Sequence, residues 1–400
     1  MIESMNILLP LVIGIILIIV FLEDRIMHSS LMSPWVITNI VWLVINLGLL
    51  FYGDMFNPLG GGYILSVVLW AIGFNLFSIL SFILVNEGGS SSVWTTNLKV
   101  FYFLFVLSLI LTPIYLYKIY LTLGDLSAGV LQDLREGSNN GHDDFGLLNR
   151  VQIFDQALLI IAMCNLRKIK KWIIFVIIFL NILVSLSIAE KGSILFLLVV
   201  ISFVLYKHEI IRFKHIVIGV CGVIALFWGM NIARSYYTGS HSSLDSFIML
   251  YILSPSVAFD SLETSVLGMF GENTFPPFYK LCNLLFDTQY EVVSKLKDYT
   301  DVPYHVNVYT IMQPFYQDWG YVGVFVFSCI MGVISGFYYK KSLSDSVIMQ
   351  SLYLFILYVL ITQFFQDNFF ISISEFFQFM LIFYISSKRV VPDNMFALKL

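Results

Sequence analysis

In a chain with so few ionisable side chains, those standing at the ends of apolar runs are the ones able to do chemistry. Lys191 lies in the short turn Ala189-Glu190-Lys191-Gly192-Ser193 between two apolar stretches. If the second stretch opens as a helix, its unpaired N–H groups, a Ser193 cap and the lysine converge, which suits a phosphate. Glu190 weakens that field, and the bland alternative is a snorkelling lysine paired with it. Arg234 closes another apolar run, in Asn231-Ile232-Ala233-Arg234-Ser235-Tyr236-Tyr237. Its guanidinium stays charged and grips phosphate oxygens in pairs; otherwise it is an interfacial anchor beside Tyr236 and Tyr237. The third cluster is Pro303-Tyr304-His305-Val306-Asn307-Val308-Tyr309-Thr310, followed by Pro314, Asp318 and Gly320. His305 can move a proton near neutral pH, and Asn307 and Tyr309 can hydrogen-bond hydroxyl groups; the plain reading is polar filler near a membrane surface.

Arg150 and Tyr237 join Lys191, Asn307 and Tyr309 as candidate substrate contacts, while His305, Arg234 and Asp318 are the candidate catalytic set. Asp155, Asp260, Glu263 and Glu375 are weaker candidates. His142-Asp143-Asp144 sits in an Asn/Gly-rich stretch where adjacent acids are normally solvated, so no metal site is expected. No P-loop, GxSxG, HExxH or CxxC pattern occurs, which argues against an ATPase, a serine hydrolase or a zincin. Cys164, Cys221, Cys282 and Cys329 give no disulfide or metal framework. The net charge of −4 favours no nucleic-acid partner, and no cofactor is indicated.

The elements that must position these residues follow from composition. With 58% hydrophobic and only 12% charged residues, 400 residues cannot hide their apolar surface in one water-soluble core. The apolar stretches are too long and continuous for barrel strands, so an all-α, polytopic transmembrane helical bundle is expected. About eleven spans are read, with approximate cores 5–22, 35–52, 62–84, 100–122, 151–166, 172–188, 193–206, 216–233, 319–339, 347–365 and 369–386. The first run is followed by Glu23, Asp24 and Arg25 without a small-x-small site and reads as an uncleaved span.

Lys and Arg in short loops set the orientation. Arg167, Lys168, Lys170 and Lys171, then Lys207, Arg212 and Lys214, then Lys340 with Lys341, then Lys388 with Arg389, fall on one side, expected to be cytoplasmic. An odd span count then places the N-terminus outside. Two large segments fall on the external side: an acidic one over 124–149 and one over 234–305. The organisation expected is residues 1–233 with eight spans, 234–318 as a large external loop carrying interfacial helices, and 319–400 with three spans and a tail. In the last part, 306–339 is too long for one span, about 50 Å against about 30 Å of hydrocarbon. Pro314 should detach a first segment, with the true span starting near Trp319.

The run Asn307-Val308-Tyr309-Thr310, then Pro314-Phe315-Tyr316-Gln317-Asp318-Trp319-Gly320-Tyr321-Val322-Gly323, leads into an apolar span with Gly332 and Gly336. It resembles the C-terminal signature of Wzy-type O-antigen and capsule repeat-unit polymerases. The Lys191-Gly192-Ser193 turn is similar to that family's basic-Gly-small turn, and Ser33-Pro34 at the second span fits it as well. The chain has Lys where many relatives have Arg, and eleven spans where about twelve are usual.

The resemblance implies a GT-C-like glycosyltransferase of the bacterial inner membrane, without metal or cofactor. It would transfer a glycan from undecaprenyl pyrophosphate to the end sugar of an undecaprenyl-pyrophosphate-linked repeat unit. A chain-length regulator and a flippase of the same pathway are the partners it implies. Arg234 and Lys191 would meet the leaving-group charge, and His305, Asp318 or another acid of the large loop would deprotonate the acceptor hydroxyl. An O-antigen ligase using the same donor is the first alternative, and a lipid-linked oligosaccharide flippase or transporter the second. A transporter would place its cations mid-membrane, whereas these stand at helix ends.

Overall fold

A computed structural model describes residues 9–20 (except 11), 30–86, 93–123, 148, 150–187, 191–238, 248–264, 268–294, 297–344 and 346–390. The acidic stretch expected over 124–149, apart from Leu148, lies outside these residues, as do His142 to Asp144 and Glu190. The described chain is mostly helical. Its helices are α1 (Pro34–Tyr52), α2 (Gly61–Leu84), α3 (Leu98–Leu123), α4 (Val151–Cys164), α5 (Lys171–Ser187), α6 (Lys191–Lys207) and α7 (Phe213–Thr238), followed by α8 (Ser254–Asp260), α9 (Pro276–Phe286), α10 (Gln313–Ser342), α11 (Val347–Thr362) and α12 (Ile373–Ile385). Four are long and apolar enough to cross a membrane, within Pro34–Met55, Gly61–Leu84, Leu98–Leu121 and Gln313–Ser342. The other helices expected as spans have apolar stretches of only 10–17 residues, in α7 the part Phe213–Gly229, which at 1.5 Å per residue fall below the hydrocarbon thickness. Two short antiparallel ribbons, which an all-α reading leaves out, complete the fold: Val93–Thr96 (β1) with Ser387–Val390 (β4), and Thr300–Asp301 (β2) with His305–Val306 (β3).

The chain divides into two compact units, each assembled from separate stretches. The first comprises Met1–Gly88, Asp245–Lys341 and Ile356–Phe376. Its centre is the contact of α2 with α10. A side chain at Gly73 would strike Ser328, one at Gly336 the Ser78 carbonyl, and one at Gly332 would come within 2.5 Å of the Phe74 carbonyl. Small residues thus let the two backbones approach closely, the usual packing device of helices in lipid. Side-chain amides join α1 to α2, with Asn75 Nδ2 donating to Asn39 Oδ1 at 2.8 Å. The indoles of Trp42 and Trp70 both donate to Gln363 Oε1 at 3.1 Å.

This unit has distinguishable ends. At one, Ser33 bonds Tyr339, Trp35 packs on Phe82 and Tyr339, and Lys341 Nζ donates to the Asn86 carbonyl at 3.0 Å. At the other, Phe56 meets Tyr304, and Asp260 meets the start of α2. The basic pair Lys340–Lys341 and the described part of the segment after Asp245 therefore stand at opposite ends of this unit.

Two expectations need correction. The stretch Met249–Asp260 does not lie on a surface; it runs as one π-helical turn into α8, and Ser254 to Phe259 are all buried. Pro255 falls in the first turn of α8, where a missing N–H costs nothing. The break in α10 is at Gly320 (φ 61°, ψ −147°), beside the expected start of the span near Trp319, whereas Pro314, expected to cause the break, occupies a first turn. By contrast α9 is amphipathic, exposing Phe278, Leu281, Leu284, Leu285 and Phe286, the form expected of an interfacial helix.

The second unit comprises Gly89–Leu244, Ser342–Phe355 and Phe377–Leu400. Asp155, a buried acid of α4, accepts from Ser108 Oγ at 2.6 Å and Thr112 Oγ1 at 2.7 Å of α3. Asn181 of α5 donates to the Asp155 carbonyl at 3.0 Å, so Asp155 joins three helices. At one end of this unit Asn165 donates to Thr96 beside the β1–β4 ribbon that carries Lys388 and Arg389. At the other, Tyr115, Val151 and Val184 pack together.

Candidate functional site

The richest polar cluster of the first unit stands at the end away from Lys340 and Lys341. It begins with a backbone feature. Gly271 has φ +68°, and a Cβ there would lie 2.8 Å from the Phe275 ring and 3.0 Å from Trp319, so only glycine allows this turn. The turn presents Asn273 and Thr274 to Asp318 on the first segment of α10. Asp318 Oδ1 accepts from Asn273 N (3.2 Å) and Nδ2 (2.9 Å), and Oδ2 from Thr274 N (2.9 Å) and Oγ1 (2.7 Å). A carboxylate offers about four acceptor positions, and four donors occupy them here. Asp318, a candidate base from sequence, thereby fastens the 271–275 turn to α10. The Gly320 break follows at once and frees this first segment from the span.

Lys297 enters the same cluster. Its Nζ donates to Asn273 Oδ1 at 3.3 Å, making a chain from Lys297 through Asn273 to Asp318. Burial lowers the Lys297 ammonium below the usual lysine range, while Asp318, Asp298 and Glu272 oppose that shift. Burial likewise raises the Tyr279 phenol, helped by Asp318 and Glu272. Aromatic faces border the cluster, with Phe270 and Phe275 against Trp319 and Tyr279 against Tyr290. One ammonium among three carboxylates, with amides and aromatic rings, suits a polyhydroxyl ligand better than a phosphate.

His305 lies eight residues after Lys297 in the same chain segment. Its Nδ1 is 2.8 Å from Asp301 Oδ1, and the imidazole stacks on Tyr299 at 4.3 Å and 1°. The β2–β3 ribbon sets the pair, since Asp301 and His305 are register partners. With 65% of its side chain exposed, His305 has Nδ1 held by a carboxylate and its other ring nitrogen available to solvent or substrate. Tyr309 is buried and donates to the Asp298 carbonyl at 3.1 Å, so its hydroxyl braces the Lys297 segment. Asn307 is half-buried. Asp260 of α8 accepts from the N–H groups of Gly60 and Tyr63, the latter at 3.0 Å, and so caps α2. Glu263 is exposed, and Glu375 lies in the first turn of α12.

The cations expected to meet a pyrophosphate belong to the second unit. Lys191 opens α6, Arg150 precedes α4, and Gln152 donates to Ser193, so the starts of these two helices are neighbours. Arg234 and Tyr237 lie in the last turns of α7, which follows α6 after a short connection and packs on it. The side chains of Lys191, Arg234 and Tyr237 lie outside the described residues. The eight site residues thus fall in two groups: Asp318, His305, Asn307 and Tyr309 in the first unit, Lys191, Arg234, Tyr237 and Arg150 in the second.

Lys297, Glu272 and Asn273 were not visible as site residues in the sequence. Lys297 reads there as one of two lysines in a charged run, Lys295-Leu296-Lys297-Asp298, and only its burial singles it out. Among the described residues no three His, Cys, Asp or Glu side chains group as a metal site. No family model, curated protein or solved structure matches the chain.

Proposed function

We propose that this protein is a membrane glycosyltransferase that polymerises undecaprenyl-pyrophosphate-linked oligosaccharide repeat units, O-antigen or capsular, at the external face of the bacterial inner membrane. The observation that carries the reading is the Lys297–Asn273–Asp318 cluster, set at the end of its unit away from the basic pair Lys340–Lys341. The sequence resemblance to Wzy-type polymerases includes one member of this cluster, Asp318. Charge divides the labour. The acid-rich, aromatic-bordered cluster repels a pyrophosphate and suits the acceptor sugar. Lys191, Arg234 and Arg150, at helix ends of the second unit, suit the donor pyrophosphate.

In this mechanism the end-sugar hydroxyl of the acceptor attacks the donor's anomeric carbon as the bond to pyrophosphate breaks. His305, oriented by Asp301, takes the hydroxyl proton. The cations stabilise the departing undecaprenyl pyrophosphate. Asp318 and Tyr309 act as positioning residues, and Asn307 contacts the acceptor.

Deleting the gene and resolving the cell's surface glycan on a gel tests this reading. A single repeat unit in place of a ladder supports a polymerase. Unattached polymer would favour a ligase, and lipid-linked repeat units trapped on the cytoplasmic side would favour a flippase.

A further inference from the structure

Helix α9 (Pro276–Phe286) turns its apolar side away from the protein. Its inward side is Pro276 and Tyr279, both buried, with Asn283 one turn further along. The polar groups on that side are satisfied within the chain. The Tyr279 hydroxyl donates to the Phe270 carbonyl, and Asn283 Nδ2 donates to the Tyr290 carbonyl at 2.9 Å. Asn283 Oδ1 accepts from Tyr290 N at 2.9 Å and Thr288 Oγ1 at 2.8 Å. Phe278, Leu281 and Leu285 follow at helical spacing on the opposite side, with Leu284 beside them, and all four are exposed. A helix bathed in water would have these two sides exchanged.

Contacts at its start fix the level at which α9 stands. Phe275, which precedes it, packs on Trp319, Phe327 and Phe370. Phe270, held by Tyr279, also packs on Trp319. Trp319 adjoins the Gly320 break, and Phe327 lies seven residues past it, about 10 Å into the apolar part of α10. On those same turns Val322 and Val326 are exposed, as the lipid-facing side of a span should be. The start of α9 is therefore level with the start of the apolar span, at the end of the unit away from Lys340 and Lys341.

With 11 residues α9 is about 16 Å long, against about 30 Å of hydrocarbon, so it cannot cross. A short helix at the boundary, apolar outward and polar inward, suits docking in the plane of the interface. Lys280 is exposed beside the apolar face, where its stem can lie on hydrocarbon while the ammonium reaches the headgroups. A second copy of the chain could also cover such a face. The face is level with Val322 and Val326, however, which acyl chains cover along the span, and lipid continues from one to the other. We propose that α9 docks in the bilayer interface on the side away from Lys340 and Lys341, with Phe278, Leu281, Leu284 and Leu285 among the acyl chains. This placement does not rest on the glycosyl-transfer reading. Asn273 lies three residues before Pro276, at most about 11 Å along the chain. The docked helix thus holds the Lys297–Asn273–Asp318 cluster near headgroup height.

The test uses the full chain in phosphatidylcholine nanodiscs, with its native cysteines replaced by serine and a nitroxide label attached at one position at a time. Leu281→Cys and Leu285→Cys probe the apolar face, and Lys280→Cys and Gln289→Cys probe its surroundings. Labels at 281 and 285 should be relaxed by dissolved oxygen and shielded from a water-soluble nickel complex, at a depth of about 5–10 Å below the headgroups. Labels at 280 and 289 should meet the nickel complex. If the cysteine-free chain does not fold, Leu285→Trp in the otherwise native chain decides the same question. Brominated phosphatidylcholine should then quench the added fluorescence. Labels at 281 and 285 as open to nickel as that at 280 would overturn the proposal, because the face would be in water. Shielding from both reagents with spin–spin broadening would also overturn it, in favour of a second copy. The expected depths in a chain that makes no polymer would support this placement while counting against the glycosyl-transfer reading alone.

Discussion

Replacing Asp318 by Asn should loosen the 271–275 turn more than it harms chemistry. The carboxylate takes four hydrogen bonds, two of them from main-chain N–H groups of Asn273 and Thr274, both residues buried. An amide keeps one oxygen and places an NH₂ where the other stood. If the NH₂ faces Thr274, the Thr274 hydroxyl can turn and accept, but its N–H is left without an acceptor. One charge-assisted bond is lost and one buried donor stranded, together about 2–4 kcal/mol. Phe275 leaves its seat against Trp319, Phe327 and Phe370 if the turn opens, so the loss extends into the aromatic core. For a unit of this size that corresponds to a midpoint lowered by roughly 4–16 °C. Thermal unfolding of the purified protein measures it, and hydrogen exchange over 268–287 locates it. Below the variant's midpoint, turnover should fall less than about tenfold, because general-base loss costs about 10²–10⁴. A variant that melts like the wild type yet loses more than a hundredfold in turnover would refute the clamp and restore Asp318 as a base.

Gly336→Leu should separate α2 from α10, since its side chain would run into the Ser78 carbonyl; overpacking of about 1–3 kcal/mol or more is expected, and an unchanged melting curve would contradict the close approach. Lys297→Met should report the buried ammonium. Burial holds the folded-state value below the unfolded one, so the charged form opposes folding at neutral pH, and that opposition fades as pH rises toward the ordinary lysine value of about 10.4. The wild type should therefore gain stability relative to Lys297→Met between pH 7 and 10, and a flat difference would contradict it. His305→Ala and Asp301→Asn should both lower turnover without altering the melting point, because both side chains are exposed; a large loss of stability in either would indicate a structural pair instead.

Much of the helical scaffold was legible because long apolar runs admit few alternatives in a bilayer. The Lys340–Lys341 pair at one end of α10 was equally readable, since charge marks helix ends directly. Uniform apolarity hides facing, however. Nothing in Met249–Asp260 distinguishes a surface helix from a buried one, and packing against α1 through Gly48 and Leu253 decides it. Pro314 and Gly320 both signal a break, and only the positive φ at Gly320 selects between them. The β1–β4 ribbon joins segments nearly three hundred residues apart, which no local pattern reveals. His305 and Asp318 stood out by type, whereas the Lys297–Asn273 contact depends on a turn whose register Gly271 fixes.

The central claim is tested most directly by reconstitution. The purified chain in proteoliposomes, given only an undecaprenyl-pyrophosphate-linked repeat unit, should produce a ladder of lipid-linked polymers and release undecaprenyl pyrophosphate stoichiometrically with each bond made. Arg234→Ala should abolish both, while Arg234→Lys restores them partly, because a point charge replaces a bidentate fork. Folded wild-type protein that leaves its authentic repeat unit unextended, or an Arg234→Ala variant that yields the wild-type ladder, would contradict the account.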